Sequence, residues 1–115
     1  MSNLAIHALQ FSLDGLSIQQ KAIANDVANV NTPGFTGTTV SFESSLQQAL
    51  SATTPTASAT ITVGPSSNTP SSNGNNVSFN QELVQMEQTT MQYQAVVGEL
   101  NNQFHLIAGS AGGTF

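Results

Sequence analysis

This sequence of 115 residues lacks cysteine, tryptophan and arginine, and Lys21 is its only basic residue apart from two histidines. Without cysteine, neither disulfides nor thiolate metal sites can form. One lysine does not neutralise a phosphate backbone, so we expect no binding to nucleic acid and none to an anionic membrane surface. No apolar run approaches the roughly 20 residues that a membrane span needs.

Catalytic patterns are also missing. His7 and His105 lie near opposite ends of the chain, and no acidic residue stands three or four positions from either. The six carboxylates form no close pair, and the sequence contains no phosphate loop, dinucleotide fingerprint or nucleophile elbow. We therefore expect no enzyme, metal, cofactor or small-molecule substrate. The start lacks the basic region and apolar block of a cleavable secretory signal, so we expect none.

The first part of the chain has a heptad repeat. Its seam steps alternately by three and four residues, which is the pattern of a coiled-coil helix. The members are Ile6, Leu9, Leu13, Leu16, Gln20, Ile23, Val27 and Val30.

A second apolar stripe lies on the opposite side of this helix, where Leu4, Phe11 and Ile18 stand seven residues apart. Only 6% of the chain is charged, against about 25% in a soluble domain. An outer face that is apolar and almost uncharged is typical of an interface, so we expect contacts with other subunits there.

The middle of the chain is read as two segments. Pro33 and Gly34 end the first helix in a turn, residues 38–42 alternate like a short strand, and residues 42–50 suit a short helix. Residues 51–76 carry no charge and three of the four prolines, which predicts a flexible low-complexity loop with a short strand at 60–63.

The heptad resumes after residue 76. The second seam contains Phe79, Leu83, Met86, Thr90, Tyr93, Val97, Leu100, Phe104 and Ile107. A chain that returns through a loop makes antiparallel helices, and one register places Gln20 opposite Thr90 as a single polar layer. The predicted fold is therefore mainly all-α, with two long terminal helices packed as an antiparallel coiled-coil hairpin. Its parts are 1–32, 33–50, 51–76 and 77–109.

One segment has a distinctive sequence. Residues 24–35 read ANDVANVNTPGF, which resembles the N-terminal signature of the bacterial flagellar rod and hook proteins, roughly ANNIANVNTPGF. The matching residues include Asn25, Ala28, Asn29, Asn31, Thr32, Pro33, Gly34 and Phe35. Asp26 departs from the signature, which usually has Asn there.

The second half carries further similarity. Residues 73–82, NGNNVSFNQE, look like the family's D-G-N-x-V-D-x-x-x-E, and residues 93–95 match its Y-Q-A. The length and the NGNNV lead-in are most similar to the B-type proximal rod protein. The C-type protein is the alternative, although its N-P-N-V-N-x-x-E-E lead-in is not found. Distal rod and hook proteins carry large β domains, for which the middle segment has no room.

The resemblance implies a structural subunit of the flagellar rod in the basal body, within the periplasm if the cell has an outer membrane. It implies export through the flagellar type III apparatus without a cleaved signal. The implied partners are other copies, other rod subunits, the export gate and the membrane ring. Early export substrates of the family carry an aromatic residue followed four positions later by an aliphatic one, and Phe42 with Leu46 fits that spacing.

Two other classes of protein remain open at this point. A small secreted helical-hairpin effector has a similar length and no signal peptide, but the best-known type has a Trp-x-Gly turn and this sequence has no tryptophan. A cytosolic export chaperone would carry charged outer faces, which are missing here.

Overall fold

The computed structural model describes residues 2–51 and 59–112. In chain order these form α1 (Ser2–Ala28), β1 (Thr38–Ser41), α2 (Glu43–Leu50), β2 (Thr62–Pro65) and α3 (Phe79–Gly112). The mainly helical fold with two long terminal helices is confirmed. No helix in these ranges has both the length and the apolar character needed to cross a membrane.

α1 and α3 pack side by side and run antiparallel. Ser12 and Leu16 of α1 line one small cleft together with Val96 and Gln92 of α3. At the other end of the pair, Asp26 lies close enough to Glu82 for their charges to interact. Residues further along α1 therefore pack against residues earlier in α3, as expected for a coiled-coil hairpin.

The apolar core between these helices is thin. Its buried apolar side chains are Ile6, Leu16 and Ile23 on α1, Phe42 just before α2, and Ala49 on α2. The radius of gyration is 17.7 Å, whereas a compact chain of this length has about 13 Å. The chain exposes 7134 Å², against about 6,000 Å² for a compact monomer of its mass. A chain of this shape keeps a large share of its surface in contact with water.

Phe42 fastens the middle segment to α1. Its side chain is only 2% exposed and sits directly on Gly15, where an added Cβ would lie 2.5–2.7 Å from three atoms of the ring. Phe11 meets the same ring edge to face, with centroids 6.2 Å apart. The absence of a side chain at residue 15 is what lets the ring reach the helix backbone.

β1 and β2 form a two-stranded antiparallel sheet. Thr38 pairs with Pro65 and Ser41 with Thr62. The predicted strand at 38–42 and short helix at 42–50 therefore agree with β1 and α2 to within a residue or two. The second strand lies at Thr62–Pro65 rather than at 60–63.

Two boundaries differ from the sequence-based expectation. α1 ends at Ala28 rather than at residue 32, so Val30 lies in a turn and not on a helical seam. The flexible loop does not extend to residue 76, because residues 62–65 form β2 and Asn75 and Asn76 are buried. Residues 52–58, within the same expectation, lie outside the described residues.

Candidate functional site, an asparagine clamp between two motifs

The chain leaves α1 through a series of tight turns, here called the motif turn (residues 29–37). The amide of Val30 donates to the carbonyl of Val27, and the amide of Phe35 donates to that of Thr32. The Asn29 side chain donates back to the carbonyl of Asn25 at 2.9 Å and accepts from the Thr32 hydroxyl at 3.2 Å. These bonds satisfy backbone groups that the helix end leaves free.

Asn75 holds the motif turn from the second half of the chain. Its side-chain amide donates to the carbonyls of Asn29 and Thr32, at 2.9 and 2.7 Å. Its Oδ1 accepts from the amide of Val77 at 2.8 Å. One buried side chain therefore ties residues more than 40 positions apart.

Asn76 makes the second cross-connection. Its Oδ1 accepts from the amide of Gly37 at 2.7 Å, and its Nδ2 donates to the carbonyls of Ser66 and Asn68. Asn75 and Asn76, with the groups that they bond, are called the asparagine clamp below. Both residues are buried, and every donor and acceptor of both side chains is used.

Two glycines allow the motifs to touch. Gly34 and Gly74 both adopt positive φ, 74° and 85°, which favours glycine. A Cβ on Gly74 would lie 3.2 Å from the Gly34 Cα, and the Gly34 amide donates to the Asn73 carbonyl at 2.9 Å. A side chain at either position would be strained by the positive φ, and at Gly74 it would also crowd Gly34.

Two carboxyl groups lie buried beside the clamp. Asp26 accepts the Thr38 amide with both oxygens, at 3.2 and 3.0 Å. Burial raises the pKa of Asp26, and the hydrogen bond from Thr38 lowers it in part. Burial also raises the pKa of Glu82, and the nearby charge of Asp26 raises it further. Among the described residues no group of three or more potential ligands could hold a metal ion.

Comparison with known proteins finds similarity in the part of the chain that contains residues 24–35. Residues 13–36 match the family model described as flagella basal body rod protein. The relative "Flagellar basal body rod protein FlgB" from Borrelia hermsii is 47% identical over 38 residues, which is 33% of this chain and 28% of that protein. Over this segment the chain is similar to the flagellar basal-body rod family. The match spans little more than a quarter of the relative's length.

The rod-family motif, residues 24–35, is folded against residues 73–77. It is not exposed as a free helix end. Asn29 and Thr32 contact Asn75 through their carbonyls. Five other members, Asn25, Ala28, Asn31, Pro33 and Gly34, are exposed. The family is a structural one and not an enzyme family.

The α1 seam lies largely where the heptad places it. Ile6, Leu16 and Ile23 are buried, and Leu9, Leu13, Gln20 and Val27 are half-buried. On α3, Met86, Thr90, Tyr93, Val97 and Leu100 are half-buried.

The ends of the α3 seam do not pack in the hairpin. Phe79, Leu83, Phe104 and Ile107 are exposed in the single chain, whereas Glu82 and Thr89 are buried. The buried face is therefore rotated by about one residue from the predicted one, and Thr89 takes the fully buried position expected for Thr90. An apolar pattern misses this rotation because two of the buried residues are polar.

The other predicted sites have mixed surroundings. Leu4 is exposed and Ile18 is half-buried, but Phe11 packs on Phe42 within the chain rather than standing free. Phe42, proposed above as part of an export signal, is a core residue in the folded chain. Leu46 follows it by one helical turn, and its amide donates to the Phe42 carbonyl at 2.9 Å.

Sequence reasoning missed the roles of Asn75, Asn76 and Glu82. The NGNNV lead-in is similar to the family pattern, but that similarity does not predict hydrogen bonds from its asparagines to residues 29–37. The useful signal is the run of asparagines immediately before a helix, because buried amide side chains bond backbone groups of neighbouring turns. Nothing in the spacing indicates which turn they bond.

Proposed function

We propose that this protein is a structural subunit of the proximal flagellar rod, which polymerises through its two long helices. The observation that carries the proposal is the rod-family match over residues 13–36, which includes most of α1 and the motif turn. The B type is preferred over the C type because the matching relative bears the B-type name.

An exposed apolar stripe on α3 supports polymerisation. Val84 and Met91 are 53% and 63% exposed and stand two helical turns apart on the side away from Glu82 and Thr89. Ala95 and Gly98 continue the same side with small residues. Burying Val84 or Met91 fully contributes roughly 1.5–3 kcal/mol each, which accumulates when every subunit repeats the contact.

The elongated shape supports the same conclusion. A thin core and an excess of exposed surface leave the hairpin short of the burial that stabilises a compact domain. Contacts with neighbouring subunits supply further burial, and they stabilise the folded chain more as the subunit concentration rises. Leu4, Ile18 and the exposed ends of the α3 seam are proposed as further parts of these contacts.

The proposal includes a location and a route. The protein leaves the cytoplasm through the flagellar export apparatus without a cleaved signal and lies in the basal body beside the export gate and membrane ring. Phe42 and Leu46 remain the proposed export signal, which the gate reads before the chain folds.

The test is a pair of charge substitutions on α3. Met91→Asp places an unpaired charge in the proposed contact, which costs several kcal/mol once buried. Gln94→Asp adds the same charge at an exposed polar site on the same helix. We expect Met91→Asp to be secreted but to abolish both motility and the ring-like or tubular polymers seen by electron microscopy, while Gln94→Asp retains both. Normal polymers of Met91→Asp, or discrete dimers of the unmodified protein, would contradict the proposal, and dimers would favour the secreted effector.

A further inference from the structure

Two acidic side chains are buried together where α1, β1 and α3 meet. Asp26 is 1% exposed and Glu82 is 7% exposed. Asp26 has a partner in the Thr38 amide, whereas Oε1 of Glu82 is buried without a hydrogen-bond partner among the described residues. A buried carboxylate oxygen without a donor is costly, and a carboxylate next to another carboxylate is costlier still.

Within residues 2–51 and 59–112, the surroundings of this pair offer no compensating cation. The motif turn, β1 and residues 73–78 contain no charged residue. On the helices, Asp14, Lys21, Glu43, Glu87 and Glu99 are all exposed. The one favourable influence is the amino end of α3, because Glu82 lies in its first turn and the helix dipole stabilises a negative charge there. That effect acts on the charge as a whole and does not provide Oε1 with a donor.

We propose that Asp26 and Glu82 form a pH-sensitive latch, which holds the motif turn against α3 while at least one of the two carboxyls is protonated and loosens when both are ionised. The latch acts at the asparagine clamp because Asp26 and Asn76 bind two adjacent backbone amides. Thr38, which Asp26 holds, follows Gly37, which Asn76 holds. A Cβ on Gly37 would lie 3.1 Å from the Asp26 carboxylate.

The direction of the pH effect follows from linkage. Both carboxyls have a higher pKa in the folded chain than in the unfolded chain, so the folded state binds more protons between those values. The free energy of unfolding then decreases as pH rises from the ordinary pKa values, 3.8 and 4.5, to the folded ones. Each unit of pKa difference corresponds to a tenfold change in the ratio of folded to unfolded chain.

The first test is a carbon-13 titration of the side-chain carboxyls in the full chain. We expect Asp26 and Glu82 to titrate in two coupled steps, the second above the ordinary range. In Glu82→Gln, the titration of Asp26 should move down and become a single step. Independent titration of Asp26 and Glu82 near 3.8 and 4.5 would overturn the proposal.

The second test measures local opening of the backbone at the asparagine clamp. Hydrogen exchange of the Gly37 and Thr38 amides, corrected for intrinsic exchange, should show protection that falls several-fold as the pH rises above the ordinary carboxyl pKa values of 3.8 and 4.5. Glu82→Gln should remove this dependence and increase protection at neutral pH, and Asp26→Asn, which keeps an acceptor for Thr38, should do the same. Glu87→Gln is the matched control on the exposed side of α3. Equal effects of Glu87→Gln and Glu82→Gln would mean that net charge alone is responsible, which would overturn the latch.

Discussion

Replacing Gly15 by alanine tests the contact that joins the middle segment to α1. Gly15 lies inside a long helix, where alanine is about 1 kcal/mol more favourable than glycine. A Cβ there would lie 2.5–2.7 Å from Cδ1, Cγ and Cε1 of Phe42. The ring is buried and cannot swing away, so the helix or the ring must shift, and such overpacking costs typically 1–3 kcal/mol.

Gly98 provides the matched control. It lies inside α3, and a Cβ there would meet nothing within 4 Å. The helix-propensity gain is therefore shared by Gly15→Ala and Gly98→Ala, and the difference between their effects is the clash alone. We expect Gly98→Ala to stabilise the chain by about 1 kcal/mol and Gly15→Ala to be about 1–3 kcal/mol less stable than that variant.

The measurement is urea unfolding followed by helical circular dichroism, with all variants in the same stabilising osmolyte. Phe42→Ala removes every ring atom that the new methyl group would meet, at a cost of about 3–5 kcal/mol for the lost burial. In that background Gly15→Ala should become as stabilising as Gly98→Ala. If Gly15→Ala already stabilises the unmodified chain by as much as Gly98→Ala, Phe42 does not pack on Gly15 as described.

Three further substitutions test the clamp and the export signal. Asn75→Asp retains the acceptor for Val77 but loses the donor to the carbonyls of Asn29 and Thr32. We therefore expect the free energy of unfolding in urea to fall by about 2–4 kcal/mol. An equal fall in the exposed control Asn80→Asp would contradict this. Gly74→Ala, at a φ of 85°, should cost about 1–3 kcal/mol by the same measurement, and an unchanged midpoint would mean that the Gly34 contact is not required. Phe42→Leu keeps most of the core volume but removes the aromatic group of the export signal, so secreted protein in a blot should fall while the exposed Phe79→Leu is secreted normally. Normal secretion of Phe42→Leu would leave Phe42 with a packing role only.

The helices could be predicted from the sequence because their apolar residues recur with a helical period. Ile6, Leu16 and Ile23 are buried as the heptad requires. The helix stop at Pro33 and Gly34 was placed four residues too late, because tight turns between residues 29 and 34 already end the regular hydrogen bonding. Backbone turns of this kind depend on side-chain bonds such as that of Asn29, which a hydrophobic pattern does not register.

The buried face of α3 was harder to predict for a different reason. Apolar residues occur on more than one side of this helix, so a heptad can be drawn along either of two adjacent faces. The choice is made by Glu82 and Thr89, which are polar and nevertheless buried. A hydrophobicity pattern therefore favours the face with Leu83, which the hairpin leaves exposed. Phe11 was assigned to the outside because its partner, Phe42, lies 31 positions further along the chain.

The distribution of polar and apolar groups separates two tasks in this molecule. The asparagine clamp is polar, and each hydrogen bond there adds only about 0.5–1.5 kcal/mol net to stability. Its donors and acceptors match one geometry, so the clamp determines the angle at which the chain leaves α1 and enters α3. The outer faces are apolar and carry no directional preference, but in the proposed polymer they contribute most of the burial. It follows that loss of Asn75 should alter which neighbour contacts a subunit can make, even when the stripe with Met91 is intact. Loss of Met91 should instead weaken every contact without changing the hairpin.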